Sequence, residues 1–199
     1  MEQREIRILA EPVEIRSDDA GREWIVGYAA KFNARSQDLG GFVEQIDPRF
    51  FDGVLHDDTK GLINHDPNLI LGRSKAGTLK LLVDEFGLRY EINPPDTTYA
   101  RDLLVSMKRG DISQSSFAFA VDYENKGDAW EYDEANDLYI RTLLKAKRLY
   151  DVSPVTYPAY EQTESIVAKR SLEKVKADRR LALDRLLEKN KLLLELDLI

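Results

Sequence analysis

Cysteine is absent from this chain of 199 residues. That excludes thiol nucleophiles, thiolate zinc sites and disulfide bridges together, and it fits a reducing cytoplasm. Histidine is nearly as scarce, with His56 and His65 the two present. There is no His-x-x-x-His and no Asp-x-Asp-x-Asp-Gly pattern, so a dedicated metal site is not expected. No apolar run approaches the roughly 18–20 residues that span a bilayer, so a membrane partner is not expected either. The start, Met1-Glu2-Gln3-Arg4-Glu5, is charged with no apolar stretch behind it, and reads as lacking a secretory signal. Positive charge is in deficit. A net charge of −7 and a pI near 5.0 argue against the concentrated basic surface that nucleic-acid backbones require.

What is present is the make-up of a soluble globular protein, 43% hydrophobic and 33% charged. The length supports one good-sized core with a short appendage. Residues 5–15 alternate apolar and polar (Ile6, Ile8, Val13, Ile15) and predict a first strand. Residues 24–30 predict a second, whose internal Gly27 marks a bulge or a close approach. Asp47-Pro48 before Arg49-Phe50-Phe51 reads as a helix start. Residues 61–67 predict a short strand entering a turn at Asn64-His65-Asp66. Runs 78–84 and 88–92 flank Glu85-Phe86-Gly87 as a hairpin. A helix is expected from Asp96-Thr97-Thr98 to Arg109, stopped by Gly110, with Tyr99, Leu103, Leu104 and Met107 at helical spacing. Strands follow over 112–123 and over 139–150, the latter entering Asp151-Val152-Ser153.

The expected architecture is α+β, mainly β, with a domain over residues 1–163 and a helical segment over 164–199. A closed barrel is one way to pair such strands without exposed edges. From Ser171 to Ile199 there is neither Gly nor Pro, which predicts a helix about 43 Å long at roughly 1.5 Å per residue. Its stripe of Leu172, Val175, Ala182, Leu186, Leu193 and Leu196 is broken by Arg179 and Lys189, so it reads as a docking, assembly or tether helix rather than a strict coiled coil.

Three polar residues could do chemistry. In an extended strand, Ser115, Phe117, Phe119 and Val121 share one face, and Gln114, Ser116, Ala118 and Ala120 share the other. The small-residue face offers an approach path, which favours Ser116 over Ser115 as a nucleophile. Without a Gly-x-Ser-x-Gly motif, ordinary strand serines fit the same pattern. His65, in a turn after an apolar strand, suits a general base, or a turn histidine held by Asp66. His56, before two acids, reads as a solvated helix end. Asp151, at a strand end, could orient an imidazole or be a plain surface carboxylate.

Several phrases in one order carry a resemblance. They are Gly27-Tyr28-Ala29-Ala30-Lys31-Phe32-Asn33, Phe42-Val43-Glu44-Gln45-Ile46-Asp47-Pro48, Asn64-His65-Asp66, Leu71-Gly72-Arg73 and Gly77-Thr78-Leu79. Gly110-Asp111-Ile112, Ser116-Phe117-Ala118-Phe119 and Asp151-Val152-Ser153-Pro154-Val155-Thr156-Tyr157-Pro158-Ala159-Tyr160 follow. Over about residues 24–163 the chain resembles the prohead proteases of tailed bacteriophages, in which Phe42–Pro48 would form the first helix start. These are serine endopeptidases related in fold to the herpesvirus assemblins.

The resemblance implies an assemblin-like closed β-barrel flanked by helices, with His65 as base, Ser116 as nucleophile and the acid at 151 as orienter. It implies no metal or cofactor. The family usually carries Glu where Asp151 stands and Gly where Ala118 stands, so a positive φ there would strain the alanine. The implied biology is capsid maturation inside a procapsid in the host cytoplasm. The substrates would be scaffold protein, the scaffolding segment of the major capsid protein, and the protease itself. Homo-oligomers are possible partners in that setting. The alternative is a non-enzymatic capsid scaffold whose long helix is the working part.

Overall fold

The structure, a computed structural model, describes residues 4–9, 11–157 and 166–196. In chain order its elements are β1 (Glu5–Leu9), β2 (Glu14–Ser17), β3 (Glu23–Lys31), β4 (Phe42–Ile46), β5 (Lys60–Ile63), β6 (Asp66–Arg73), β7 (Leu79–Val83) and β8 (Gly87–Ile92). Then come α1 (Thr98–Arg109), β9 (Gln114–Val121), β10 (Asp128–Asp133), β11 (Leu138–Leu143), β12 (Ala146–Val155) and α2 (Ile166–Leu196). The chain divides into two compact units, residues 1–165 and 166–199. The expected domain boundary at Thr163 and the residues Pro158, Ala159 and Tyr160 lie outside the described residues.

The described strands form three sheets: β1-β9-β12-β5-β6, β10-β11-β4 and β2-β3-β8-β7. None closes on itself, so the expected closed barrel is not what forms. The chain changes sheet where a continuous strand was expected. Residues 5–15 split into β1, paired with β9, and β2, paired with β3. Residues 139–150 split into β11 and the start of β12, because Leu144 and Lys145 both donate their backbone N–H to the Gly127 carbonyl, at 2.7 and 3.0 Å. A Cβ on Gly127 would lie 2.6 Å from the Lys145 carbonyl oxygen and 2.7 Å from the Asp122 nitrogen, so only glycine lets the two segments approach this closely.

The core is aromatic at its centre. Phe117 and Phe119 stack at 4.9 Å, and Phe50 and Phe51 pack edge-on against them at 5.4 and 5.7 Å. Such pairs add about 0.5–1.5 kcal/mol each beyond area burial. They also explain why residues 48–56 form successive turns instead of the expected helix. Phe50 and Phe51 are adjacent and both fully buried, whereas neighbours on an α-helix diverge by about 100°. The backbone bonds there run three residues back (Phe50 to Asp47, Val54 to Phe51). The preceding Phe42–Ile46 segment is a strand, β4, parallel to β11, so no helix starts at Phe42–Pro48.

Other elements follow the sequence pattern. β7 and β8 pair as a hairpin, and α1 buries Ala100, Leu103 and Met107 and ends at Gly110 with φ 84°. Its N-cap is Thr97, one residue past Asp96. Gly27 is a close approach: a Cβ there would meet the Tyr90 hydroxyl at 2.9 Å and Ser115 Oγ at 3.0 Å. α2 begins at Ile166, ahead of the expected Ser171, and Leu181, Leu183, Leu186, Leu187 and Leu193 are exposed along it. No helix among the described residues is long and apolar enough to cross a membrane.

Candidate active site

β9 lies between β1 and β12 in the five-stranded sheet. Its alternation sends consecutive serines to opposite faces. Ser115 turns to the core and shares a 2.7 Å hydrogen bond with the Tyr90 hydroxyl. Ser116 turns the other way, directly across from Ile8 of β1 and Ser153 of β12. Ala118 is also extended, not among the residues with positive φ, so the alanine is accommodated without strain.

The hairpin tip between β5 and β6 brings in His65. Asn64 and His65 both adopt left-handed backbone, at φ 52° and 59°, a conformation that is uncommon for two consecutive non-glycine residues and that surrounding contacts must support. β12 fastens them. The Asn64 N–H donates to the Pro154 carbonyl at 3.1 Å, and the Asn64 side chain exchanges bonds with Thr156 at 2.8 and 3.0 Å. The His65 N–H donates to Ser153 Oγ at 3.3 Å. The ring is thereby aimed back over the sheet, with Nε2 2.6 Å from Ser116 Oγ and Nδ1 2.5 Å from Asp151 Oδ1.

Asp151 stands on β12 opposite Ala118, just past a register shift between Leu149 and Asp151. Although one methylene shorter than Glu, it reaches the imidazole. Its side chain is 3% exposed, and a buried carboxylate must be paired or hydrogen-bonded. Arg4 donates to Oδ2 at 2.8 Å, and Ser153 donates to Oδ1 at 3.0 Å. A carboxylate only accepts hydrogen bonds, so Nδ1 carries the imidazole proton. Nε2 then presents its lone pair to the Ser116 hydroxyl. That hydroxyl has one hydrogen and a second acceptor, the Arg7 carbonyl at 2.9 Å. The small-residue face of β9 is not open: Ser116, Ala118 and Ala120 are all buried, and Ser116 is 0% exposed.

The other face of β1 carries a second polar cluster. Arg141, 0% exposed, bonds Glu5 at 2.7 Å, Glu44 at 2.9 Å and Asp128 at 2.8 Å. Arg7 pairs with Glu44 at 2.7 Å and with Glu5 at 2.8 Å. Burial pushes the Glu5 carboxyl up, but Arg141 and Arg7 outweigh it and hold it below the usual range. Burial pulls the Arg141 guanidinium down, but Glu5 and Glu44 raise it well above its usual value. Each of the three carboxylates meets at least one of the two guanidiniums, as buried ions require.

The structure thus brings His65, Ser116 and Asp151 into one hydrogen-bonded row and leaves His56 exposed in the turns after β4. Asp66 turns away from His65 to cap Asn68. Two neighbours of the row, Ser153 and Arg4, were missed by sequence reasoning. Ser153 had a signal, since two residues after Asp151 a strand returns to the same face. Arg4 had none.

A sequence profile described as caudovirus prohead serine protease matches residues 11–178. Among curated proteins none matches the chain. Among solved structures, the capsid assembly protease of bacteriophage T4 is similar at 12% identity and a TM-score of 0.49, over 78% of this chain and 98% of that one.

Proposed function

The chain belongs to the caudovirus prohead serine protease family, and we propose that its nucleophile is Ser116, its general base His65 and its orienting acid Asp151. The observation that carries this assignment is the imidazole bridging a hydroxyl at 2.6 Å and a carboxylate at 2.5 Å. Base, nucleophile and orienter are then within hydrogen-bond reach.

In the forward reaction His65 Nε2 takes the Ser116 proton while Oγ attacks a peptide carbonyl. The imidazolium so formed is stabilised by Asp151 at Nδ1. His65 then gives that proton to the leaving amine as the C–N bond breaks, which leaves an acyl-enzyme on Ser116. A water molecule, deprotonated by His65, attacks the ester carbonyl. Ser116 departs with the proton returned by His65. Reacting atoms must approach to about 3–3.5 Å, so a buried Oγ has to be uncovered before a substrate can react.

The proposed setting is the procapsid within the host cell, where the substrates are the scaffold protein or the scaffolding segment of the capsid protein, and the protease itself. The test is co-expression of the chain with its cognate capsid and scaffold proteins, followed by intact mass measurement, for the unaltered chain and Ser116→Ala in parallel. New fragments in the unaltered chain alone are expected, and their masses give the cleavage sites. Fragments in both would move the nucleophile elsewhere. No fragments in either, with shells formed normally, would favour a scaffolding role.

A further inference from the structure

We infer that Ser153 is a positioning residue for peptide hydrolysis, its hydroxyl fixing the geometry of the acid and the base at once; the inference rests on the roles proposed for His65, Ser116 and Asp151. Three observations support it. The hydroxyl donates to Asp151 Oδ1, the same oxygen that accepts from His65 Nδ1, at 3.0 Å. It accepts the backbone N–H of His65 at 3.3 Å. And Ser153 is in direct register with Ser116 on the neighbouring strand, 0% exposed.

A hydroxyl has one hydrogen to give and lone pairs to receive. Here the hydrogen goes to the carboxylate and a lone pair receives the His65 amide, while His65 Nδ1 stands farther off, 3.5 Å from the same oxygen. The consequence for Asp151 is directional. With Arg4 on Oδ2 at 2.8 Å and Ser153 on Oδ1, rotation of the carboxylate about its last bond would break both contacts. Oδ1 is thereby kept on His65 Nδ1. The consequence for His65 is positional. Its left-handed backbone is uncommon outside glycine, and the Ser153 contact holds the residue that carries the ring.

Ser153 touches no reacting atom, so its removal acts on turnover and not on substrate affinity. Ser153→Ala is expected to lower kcat by about 10- to 100-fold, the scale of a misplacement near 1 Å, with KM unchanged. The substrate is a peptide spanning a cleavage site found by the co-expression masses. Ser153→Thr, which keeps the hydroxyl, is expected to recover most of the rate. Independently of turnover, the far-downfield proton resonance of the His65 Nδ1–H···Asp151 bond is expected in the unaltered full-length chain and in Ser116→Ala, and to move upfield or broaden in Ser153→Ala.

An inactive Ser116→Ala beside a Ser153→Ala with unchanged kcat and an unmoved resonance would overturn the inference while leaving the proposed function standing. An active Ser116→Ala would overturn the proposed function itself. A Ser153→Ala variant that loses rate only in proportion to its loss of folded protein, with the resonance unmoved in the folded fraction, would show a merely structural serine and overturn the inference too.

Discussion

At the scale of single residues, the two faces of β1 set different demands. Arg141 is fully buried, so truncating it leaves Glu5 and Glu44 to share the single guanidinium of Arg7. Breaking a buried pair on one side costs about 3–5 kcal/mol, and Arg141→Met is expected to lower unfolding stability by that amount in urea titration. The pH dependence has a definite sign. Glu5 is held below its ordinary value of 4.5. A depressed carboxylate contributes stability that is whole above the ordinary value and lost as pH falls through the folded one. Stability should therefore fall away below about pH 4.5, and Glu5→Gln should flatten that decline. At Ser116 the expectation is kinetic. A small serine-directed phosphonofluoridate should label the buried hydroxyl slowly, and faster in urea well below the unfolding midpoint; rapid labelling in buffer alone would contradict a covered nucleophile. These charges were not legible in the sequence. Alternation marks Ile6 and Ile8 as the apolar positions of the strand, whereas Glu5 and Arg7 are the buried pair. Their partners lie as far as 136 residues away, beyond any local pattern.

At the scale of elements, legibility followed the location of the residue that forces the shape. The β7–β8 hairpin and the end of α1 were readable because Gly87 and Gly110 lie within the segments they punctuate. The break between β11 and β12 was not, because the glycine that requires it is residue 127, on the far side of β10 and β11. Gly127→Ala is expected to force backbone apart from backbone on that account. Overpacking of this kind costs typically about 1–3 kcal/mol, measured as a shift in urea midpoint, and Gly53→Ala is the control, since a Cβ there meets nothing within 4 Å. The row of His65, Ser116 and Asp151 was partly legible for the same reason. Strand alternation separated Ser116 from Ser115, and a turn after an apolar strand singled out His65. That Asp151 would face them both depends on a register shift in β12 that no residue type announces.

At the scale of the whole molecule, three open sheets replace one closed barrel, because the chain leaves a sheet at each break instead of continuing round. The second unit offers a clean separation of roles. The family match ends at residue 178, and the leucines at 181, 183, 186 and 187 beyond it are exposed. A chain ending at residue 178 is expected to keep its peptide-cleaving rate within about twofold, as surface changes away from buried features do, when assayed on the same peptide by mass. A scaffold whose working part is the helix would lose its function instead. One feature of the first unit bears on how such an enzyme endures heat. β12 pairs with the strand of Ser116 on one side and with the strand leading to His65 on the other, and itself carries Asp151. Thermal displacement of that strand moves all three side chains together, so their mutual spacing is nearly blind to the breathing of the rest of the fold. Hydrogen exchange in β12 should then track the loss of activity on warming, while exchange in the β2-β3-β8-β7 sheet can quicken earlier with no effect on rate.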